Sequence, residues 1–412
     1  MKKSIAVILI LALSVLCTAS GFAETHRDYE YKILEDGTAQ IARYTGSDTV
    51  VTVPAEIDGM PVTGIGYGAF QFMDRITGIT IPETVTSIGG YAFRNCTSLT
   101  EIVIPDTVTS IGDSAFQMCT GLKEIRLPAG LTAISPNMLW SCSALTEVEI
   151  PESVTLIDGC AFVGCSGLEQ ITIPGSVVSI KSSAFQMCSS LTDVTIGEGV
   201  AEIGRFVFED CGALVRVSFP DSITKIDGNP FVNCRNLTAI EVSEDHPYLK
   251  MTDGVLYCDQ GECLVCCPCT REETVCTVPD GTRYIAMYAF AGCENLSAVE
   301  LPDGLEEISN CAFRKCTGLT EMTIPGSVSG ISPLAFSECA GLEKVIVGDG
   351  VKSISSEAFS KCSRLADVTV PASVTLIAKD AFAKNEETVF HVVSGSYAEK
   401  YCLDNGRKYI AE

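Results

Sequence analysis

One spacing governs what this chain can fold into. Pro82, Pro105, Pro128, Pro151 and Pro174 recur every 23 residues, Gly197 takes the next place, and Pro220 follows. After a break, Pro279, Pro302, Pro325, Gly348 and Pro371 resume the same step. An aromatic column runs in register: Phe70, Phe93, Phe116, Leu139, Phe162, Phe185, Phe208 and Phe231, then Phe290, Phe313, Phe336, Phe359 and Phe382, thirteen units in all. Three residues after that place stands cysteine, in eleven of the units from Cys96 to Cys362. Self-similarity at this period marks a stack of small units and not a row of separate domains, because no single unit can close a core.

The unit Leu99–Cys119, LTEIVIPDTVTSIGDSAFQMC, shows the physics. Alternation over Glu101, Ile102, Val103 and Ile104 has period two and predicts a short strand. Pro105 ends it, since proline has no N–H for a ladder. Val108 and Ile111 point inward again from a second extended or turning segment, and Gly112 suits a tight turn. Ala115, Phe116 and Cys119 have the spacing of about one helical turn. Stacked units then give an α/β repeat solenoid with a parallel β-sheet face. Thirteen units at ~4.8 Å per strand run about 60 Å. The ladder cysteines read as structural, since a buried cysteine acts as a small hydrophobe with a weak S–H donor.

The pattern L-x-x-I-x-I-P-x-x-V-x-x-I-x-x-x-A-F-x-x-C, as in Leu99–Cys119, resembles the BspA-like leucine-rich repeat over residues 62–388. Tyr29–Val62 is similar to that family's opening hairpin, and Gly395–Ile410 to its closing helix and strand. The resemblance implies capped ends, which physics also asks for, since an open end would expose core and unpaired strand edges. It further implies bacterial cell-surface proteins, some of which attach to host matrix proteins or to other cells.

These signals divide the chain into six segments: 1–23 a signal peptide, 24–61 an N-terminal cap hairpin, 62–242 repeats, 243–279 a Cys-rich hairpin insert, 280–388 repeats, and 389–412 a C-terminal cap. The leader has Lys2 and Lys3, an apolar run from Ile5 to Cys17, and the small-x-small ending Gly21-Phe22-Ala23. The run is short for a membrane span, and Leu16 before Cys17 is too bulky for a lipidation site. No later segment is apolar enough to span a bilayer, so export as a soluble or surface-held monomer is the expectation.

The insert interrupts the period: Pro220 and Pro279 are 59 residues apart. Turn signals at Asp253-Gly254 and Asp259-Gln260-Gly261 predict a hairpin of Val255–Cys258 with Glu262–Cys266. The segment carries Cys258, Cys263, Cys266, Cys267, Cys269 and Cys276. Three readings stand: a Cys258–Cys263 disulfide across the hairpin, thiolates of Cys263, Cys266 and Cys269 on a structural zinc, or a cluster of free thiols. No histidine stands at ligand spacing, so no metal or other cofactor is expected. Cys160 and Cys311, ahead of the Ala-Phe pair, are candidates for exposed free thiols.

Composition narrows the function. Lys and Arg number 28 against 52 Asp and Glu, a net charge of −24, which excludes a phosphate-binding footprint and hence nucleic acid. The three histidines, His26, His246 and His391, lie apart from any nucleophile motif, and no phosphate loop or dinucleotide fingerprint occurs, so no catalytic residue is expected. What varies between units is the outward side of the strands: Glu101 and Val103, Glu124 and Arg126, Glu147 and Glu149, Gln170 and Thr172, Asp193 and Thr195, Arg216 and Ser218. Solenoids bind through such extended faces. The reading is a non-enzymatic binding or adhesion module for a protein or glycan on a host or neighbouring cell. Its alternatives are an envelope spacer without a ligand, and a metal or redox role for the insert.

Overall fold

The computed structural model describes residues 23–412. The expected signal peptide therefore lies outside the described residues, apart from Ala23. Sixteen short strands, from Val50–Thr52 to Lys408–Ala411, stack in one row, hydrogen-bonded as five parallel blocks. A second row of mostly two-residue strands, such as Ser87–Ile88, Ser110–Ile111 and Ala133–Ile134, runs beside it. Registers repeat at the sequence period: Glu124 pairs with Glu147 and Ser110 with Ser87. In Leu99–Cys119 every residue expected inside is buried: Leu99, Ile102, Ile104, Val108, Ile111, Ala115, Phe116 and Cys119.

The arm from Gly112 to Cys119 differs from expectation. It is a run of turns and not a helical turn. Its donors alternate between two targets. Ser114 N–H reaches Pro136 O at 2.9 Å, Phe116 N–H reaches Met138 O at 2.9 Å and Met118 N–H reaches Trp140 O at 2.7 Å, all on the next rung. Between them, Gln117 N–H and Cys119 N–H close local turns on Ser114 O and Phe116 O. Ser114 (φ 57°) and Met118 (φ 61°) sit in the left-handed region, which breaks any helix. The α component is thus confined to the capping helix Tyr397–Asn405, the single α-helix among the described residues. Gly112 also has a different reason than a tight turn: a Cβ there would lie 2.5 Å from Gly90 N on the preceding rung, so the two backbones pack too closely for any side chain.

Stacking repeats the same side chain over itself. Rings of Phe290, Phe313, Phe336, Phe359 and Phe382 lie parallel at 4.7–5.2 Å, and those of Phe162, Phe185, Phe208 and Phe231 at 4.9–5.8 Å. Each ladder cysteine donates its thiol to a backbone oxygen 26 residues earlier. Cys119 reaches Phe93 O at 3.0 Å, Cys188 reaches Phe162 O at 3.3 Å and Cys339 reaches Phe313 O at 3.0 Å. One period beyond Cys362, Asn385 makes the same bond to Phe359 O at 2.6 Å.

The ends are closed. Tyr29–Ile33 and Ala39–Tyr44 form an antiparallel hairpin whose second strand pairs in parallel with Met60–Ile65. At the other end the helix Tyr397–Asn405 is capped by Ser396 and by Gly406 (φ 63°), and Lys408–Ala411 covers the edge of Val389–Val392. Within the insert, Val255–Cys258 pairs antiparallel with Cys263–Cys266, which then pairs in parallel with Tyr284–Ile285. The 59-residue step is therefore two periods plus 13 residues. The rung begun by Ala239–Glu241 is kept, its second strand is enlarged to a hairpin, and Cys266-Cys267 occupies the Ala-Phe place.

A substitution tests the ladder. Cys188→Ala removes one of the two donors on Phe162 O, leaving the Cys165 N–H at 3.1 Å, and is expected to cost about 0.5–1.5 kcal/mol in urea unfolding. Cys188→Asn, which keeps a donor as Asn385 does, is expected to cost less than the alanine variant.

Candidate interaction face on the strand ladder

All twelve outward residues named from the sequence, Glu101 through Ser218, are exposed, while the residues between them, Ile102, Ile125, Val148, Ile171, Val194 and Val217, are buried. The strand pleat produces this: alternate side chains leave opposite faces, and one face is committed to the core. Glu101, Glu124, Glu147, Gln170, Asp193 and Arg216 share one column. Val103, Arg126, Glu149, Thr172, Thr195 and Ser218 share the other.

Electrostatics separates these residues into two groups. Asp193 neighbours Arg216, which lies 3.7 Å from Glu241. Beyond the insert, Lys344 stands between Glu321 and Asp367, and His391 Nε2 lies 3.0 Å from Asp367. Opposite charges there are ladder neighbours within the column. On the earlier rungs of the same column like charges are. Glu124 and Glu147 are direct ladder partners, Glu101 is on the adjacent rung, and Glu149 faces Arg126. Arg126 turns away to Asp106, with Nη2 at 2.9 and 3.0 Å from the two carboxylate oxygens. Arg126, with the Ala129 amide, holds the Asp106 carboxyl below the usual carboxylate range. No cation forms an ion pair with Glu101, Glu124, Glu147 or Glu149 among the described residues. Like charges directly opposite across a sheet are unfavourable, so this patch is held against local stability.

The regular ladder is interrupted between Glu101–Val103 and Glu124–Arg126, and again between Glu147–Glu149 and Gln170–Ile173. A shallow groove of about 410 Å³ lies over each interruption. The first is lined by the four carboxylates, Arg126 and Val103, which is 60% exposed. The second adds Glu152, Gln170, Thr172 and Pro174. Asp106 was not among the residues picked from the sequence. Its signal was a 20-residue separation from Arg126, just short of one period, which places the turn of one rung beside the strand of the next.

The insert cysteines arrange themselves differently from the strand face. Cys258 and Cys263 are Cα partners across the hairpin, and their contact draws the Cys258 thiol down and pushes Cys263 up. Cys263, Cys266 and Cys269 do not assemble as a ligand set, and no group of three or more such side chains does so among the described residues. Strand geometry is the reason: Cys263 and Cys266 are about 10 Å apart along one strand, whereas zinc holds each sulfur at about 2.3 Å. Of the two candidates for exposed thiols, Cys311 is buried at 3% exposure and Cys160 is half-buried. Both have positive φ, at the turn place where other rungs put Ser114 or Asn137.

The repeat agrees with comparison to known proteins. The profile of the BspA type leucine-rich repeat region matches residues 63–188, 157–252 and 267–389. The chain belongs to the BspA type leucine-rich repeat family. A leucine-rich cell surface protein from Faecalibacterium prausnitzii is similar at 30% identity over 92% of this chain and 97% of its own, with a TM-score of 0.71. Leucine-rich repeat proteins from Bacteroides ovatus (23% identity, 94% and 99% coverage, TM-score 0.52) and Eubacterium ventriosum (21%, 90% and 83%, 0.53) share the fold. No curated protein matches. No helix of the described residues is long and apolar enough to cross a membrane. As a BspA type chain it is a repeat scaffold suited to interaction.

A stability measurement checks the uncompensated patch. Glu124→Gln with Glu147→Gln is expected to raise unfolding stability by about 0.2–1 kcal/mol in low salt. The gain should shrink as salt rises from about 0.01 M to about 1 M, where the screening length falls from ~30 Å to ~3 Å.

Proposed function

We propose that this chain is an exported, non-enzymatic interaction module that captures a protein on a host or neighbouring cell through the outward face of its strands. The contact lies over Glu101, Glu124, Glu147 and Glu149, and the partner presents a basic surface there. The observation that carries this reading is the glutamate column Glu101, Glu124 and Glu147, with no ion-paired cation among the described residues, while beyond the insert Lys344 stands between Glu321 and Asp367 in the corresponding column. A partner's Lys or Arg side chains would complete it, and long-range attraction would speed encounter. Val103 and the grooves supply apolar area beside the charge. An anionic glycan is disfavoured by the same field. The likeness to a protein described as a leucine-rich cell surface protein supports the placement at a surface. The insert's part in this reading is structural: a Cys258–Cys263 disulfide closes its hairpin after export.

The test is a binding screen of the purified protein against extracellular-matrix proteins, glycans and bacterial cell surfaces. It runs beside a variant with Glu124, Glu147, Glu149 and Asp193 changed to Lys. Saturable, salt-sensitive binding that the variant loses by tenfold or more is expected. Binding equal in both proteins moves the site off this face, and no binding to any panel member favours an envelope spacer.

A further inference from the structure

The rung that holds the insert is one of two, with the Leu139 rung, where the aromatic column of the core changes. Cys267 stands where other rungs have phenylalanine, so the ring stack stops at Phe231 and restarts at Phe290. Sulfur fills the gap. Cys293 keeps the ladder bond, to Cys267 O at 3.3 Å, and also touches a second thiol: Cys269 Sγ lies 3.3 Å from Cys293 Sγ. Arg271 projects into the same cluster, with Nη1 3.9 Å from Cys267 Sγ and 3.8 Å from Cys276 Sγ. Its side chain is 11% exposed, with Glu273, 3.5 Å away, as its only carboxylate partner among the described residues. A buried guanidinium beside thiols favours thiolate, and the neighbouring thiols with Arg271 draw Cys267 well below its ordinary value.

We propose that Cys269 and Cys293 form a disulfide that clamps the insert to the first rung of the second repeat block. The two sulfurs already touch, and closing to a bond of about 2 Å needs a movement of little more than 1 Å. Access is graded in the required order. Cys269 is half-buried, while Cys267, Cys276 and Cys293 are buried. Cys269 loses its proton to solvent and attacks an external disulfide, which releases one external thiolate and leaves a mixed disulfide on Cys269. Cys293 then attacks the Cys269 sulfur, and the second external thiolate departs with the Cys293 proton. Two protein thiols are oxidised and one external disulfide is reduced to two thiols. The other ladder thiols lack such an opening. They are buried and pair with backbone oxygens on the preceding rung.

The clamp lies where the two apolar clusters of the solenoid meet: Cys266 belongs to the first, Cys267 and Cys293 to the second. Both of its sulfurs lie on the side of the second cluster, Cys293 within it and Cys269 packed against it, so the bond fastens the insert's rung to the second block where the aromatic stack is missing. It is independent of the acidic face, so binding and bridging are separable in experiment.

The test equilibrates the purified protein in mixtures of reduced and oxidised glutathione, blocks free thiols with an alkylating agent, digests with trypsin and maps linked peptides by fragment-ion mass spectrometry. The expected product joins Met251–Arg271 to Tyr284–Arg314 through Cys269 and Cys293, two hydrogens lighter than the thiols for that bond and two more where Cys258–Cys263 is also closed within the first peptide. Its formation should raise the thermal midpoint by a few degrees. Cys269→Ser is expected to match the wild type under reducing conditions and to lose both the linked peptide and that rise. Recovery of Cys269 and Cys293 as separately alkylated residues in oxidised glutathione overturns the proposal. So does Cys269 held only as a glutathione adduct, or joined to any cysteine other than Cys293.

Discussion

Backbone donors on each rung are answered by carbonyls one period away, and this exchange is the constraint on which the rest depends. Phe116 N–H reaches Met138 O and Thr100 N–H reaches Thr77 O, so a residue's environment is a copy of itself one rung along. A side chain that fits once must fit at every level. Phenylalanine stacks on phenylalanine at ring spacings close to the strand spacing of ~4.8 Å. Glycine meets glycine where backbones nearly touch, as at Gly90 and Gly112. A thiol is small enough to reach the oxygen of the rung before without displacing that ring, and Asn385 shows that the donor matters and not the sulfur. Nearest-neighbour stacking of this kind makes stability a sum over interfaces, so the joint at the insert, where the ring stack is broken and the two apolar clusters meet, is a place for a local lock.

The same constraint leaves one face free to vary. Inward positions are fixed by the core and the turn arms by their inter-rung bonds, so sequence differences collect on the outward strand positions. There, chemistry accumulates linearly. Three glutamates on neighbouring rungs make a charged rail about 10 Å long at ~4.8 Å steps. Arg126, which would neutralise part of it, is held by Asp106. The arrangement is poor for the isolated protein and good for a basic partner, and that contrast is why the binding reading is placed on these rungs and not on the balanced ones that follow the insert.

Much of this was legible in the sequence because the period makes every inference repeat. The strands, the buried columns and the exposure of Glu101 through Ser218 follow from alternation and proline placement alone. Three things were not legible. The arm Gly112–Cys119 has helical spacing, but its alternate N–H groups bond the next rung, and only the backbone of two adjacent units reveals that. The degenerate rung at Ala239–Cys267 is hidden because its phenylalanine is a cysteine and its second strand carries 13 additional residues. The split of the outward face into compensated and uncompensated parts depends on where Arg126 points, which spacing does not say. The contact of Cys269 with Cys293 was within reach, since their separation of 24 is one residue off the period.

Carbodiimide footprinting of carboxylates, with and without a partner captured by the protein, tests the central claim most directly. Account and measurement meet on the same atoms, because Glu101, Glu124, Glu147 and Glu149 are exposed and without cations in the free chain. The account predicts that labelling of these four falls on binding while Glu300, Glu321 and Asp367 label as before. Unchanged labelling of the four, with protection on the turn arms, the insert or the caps, would contradict it.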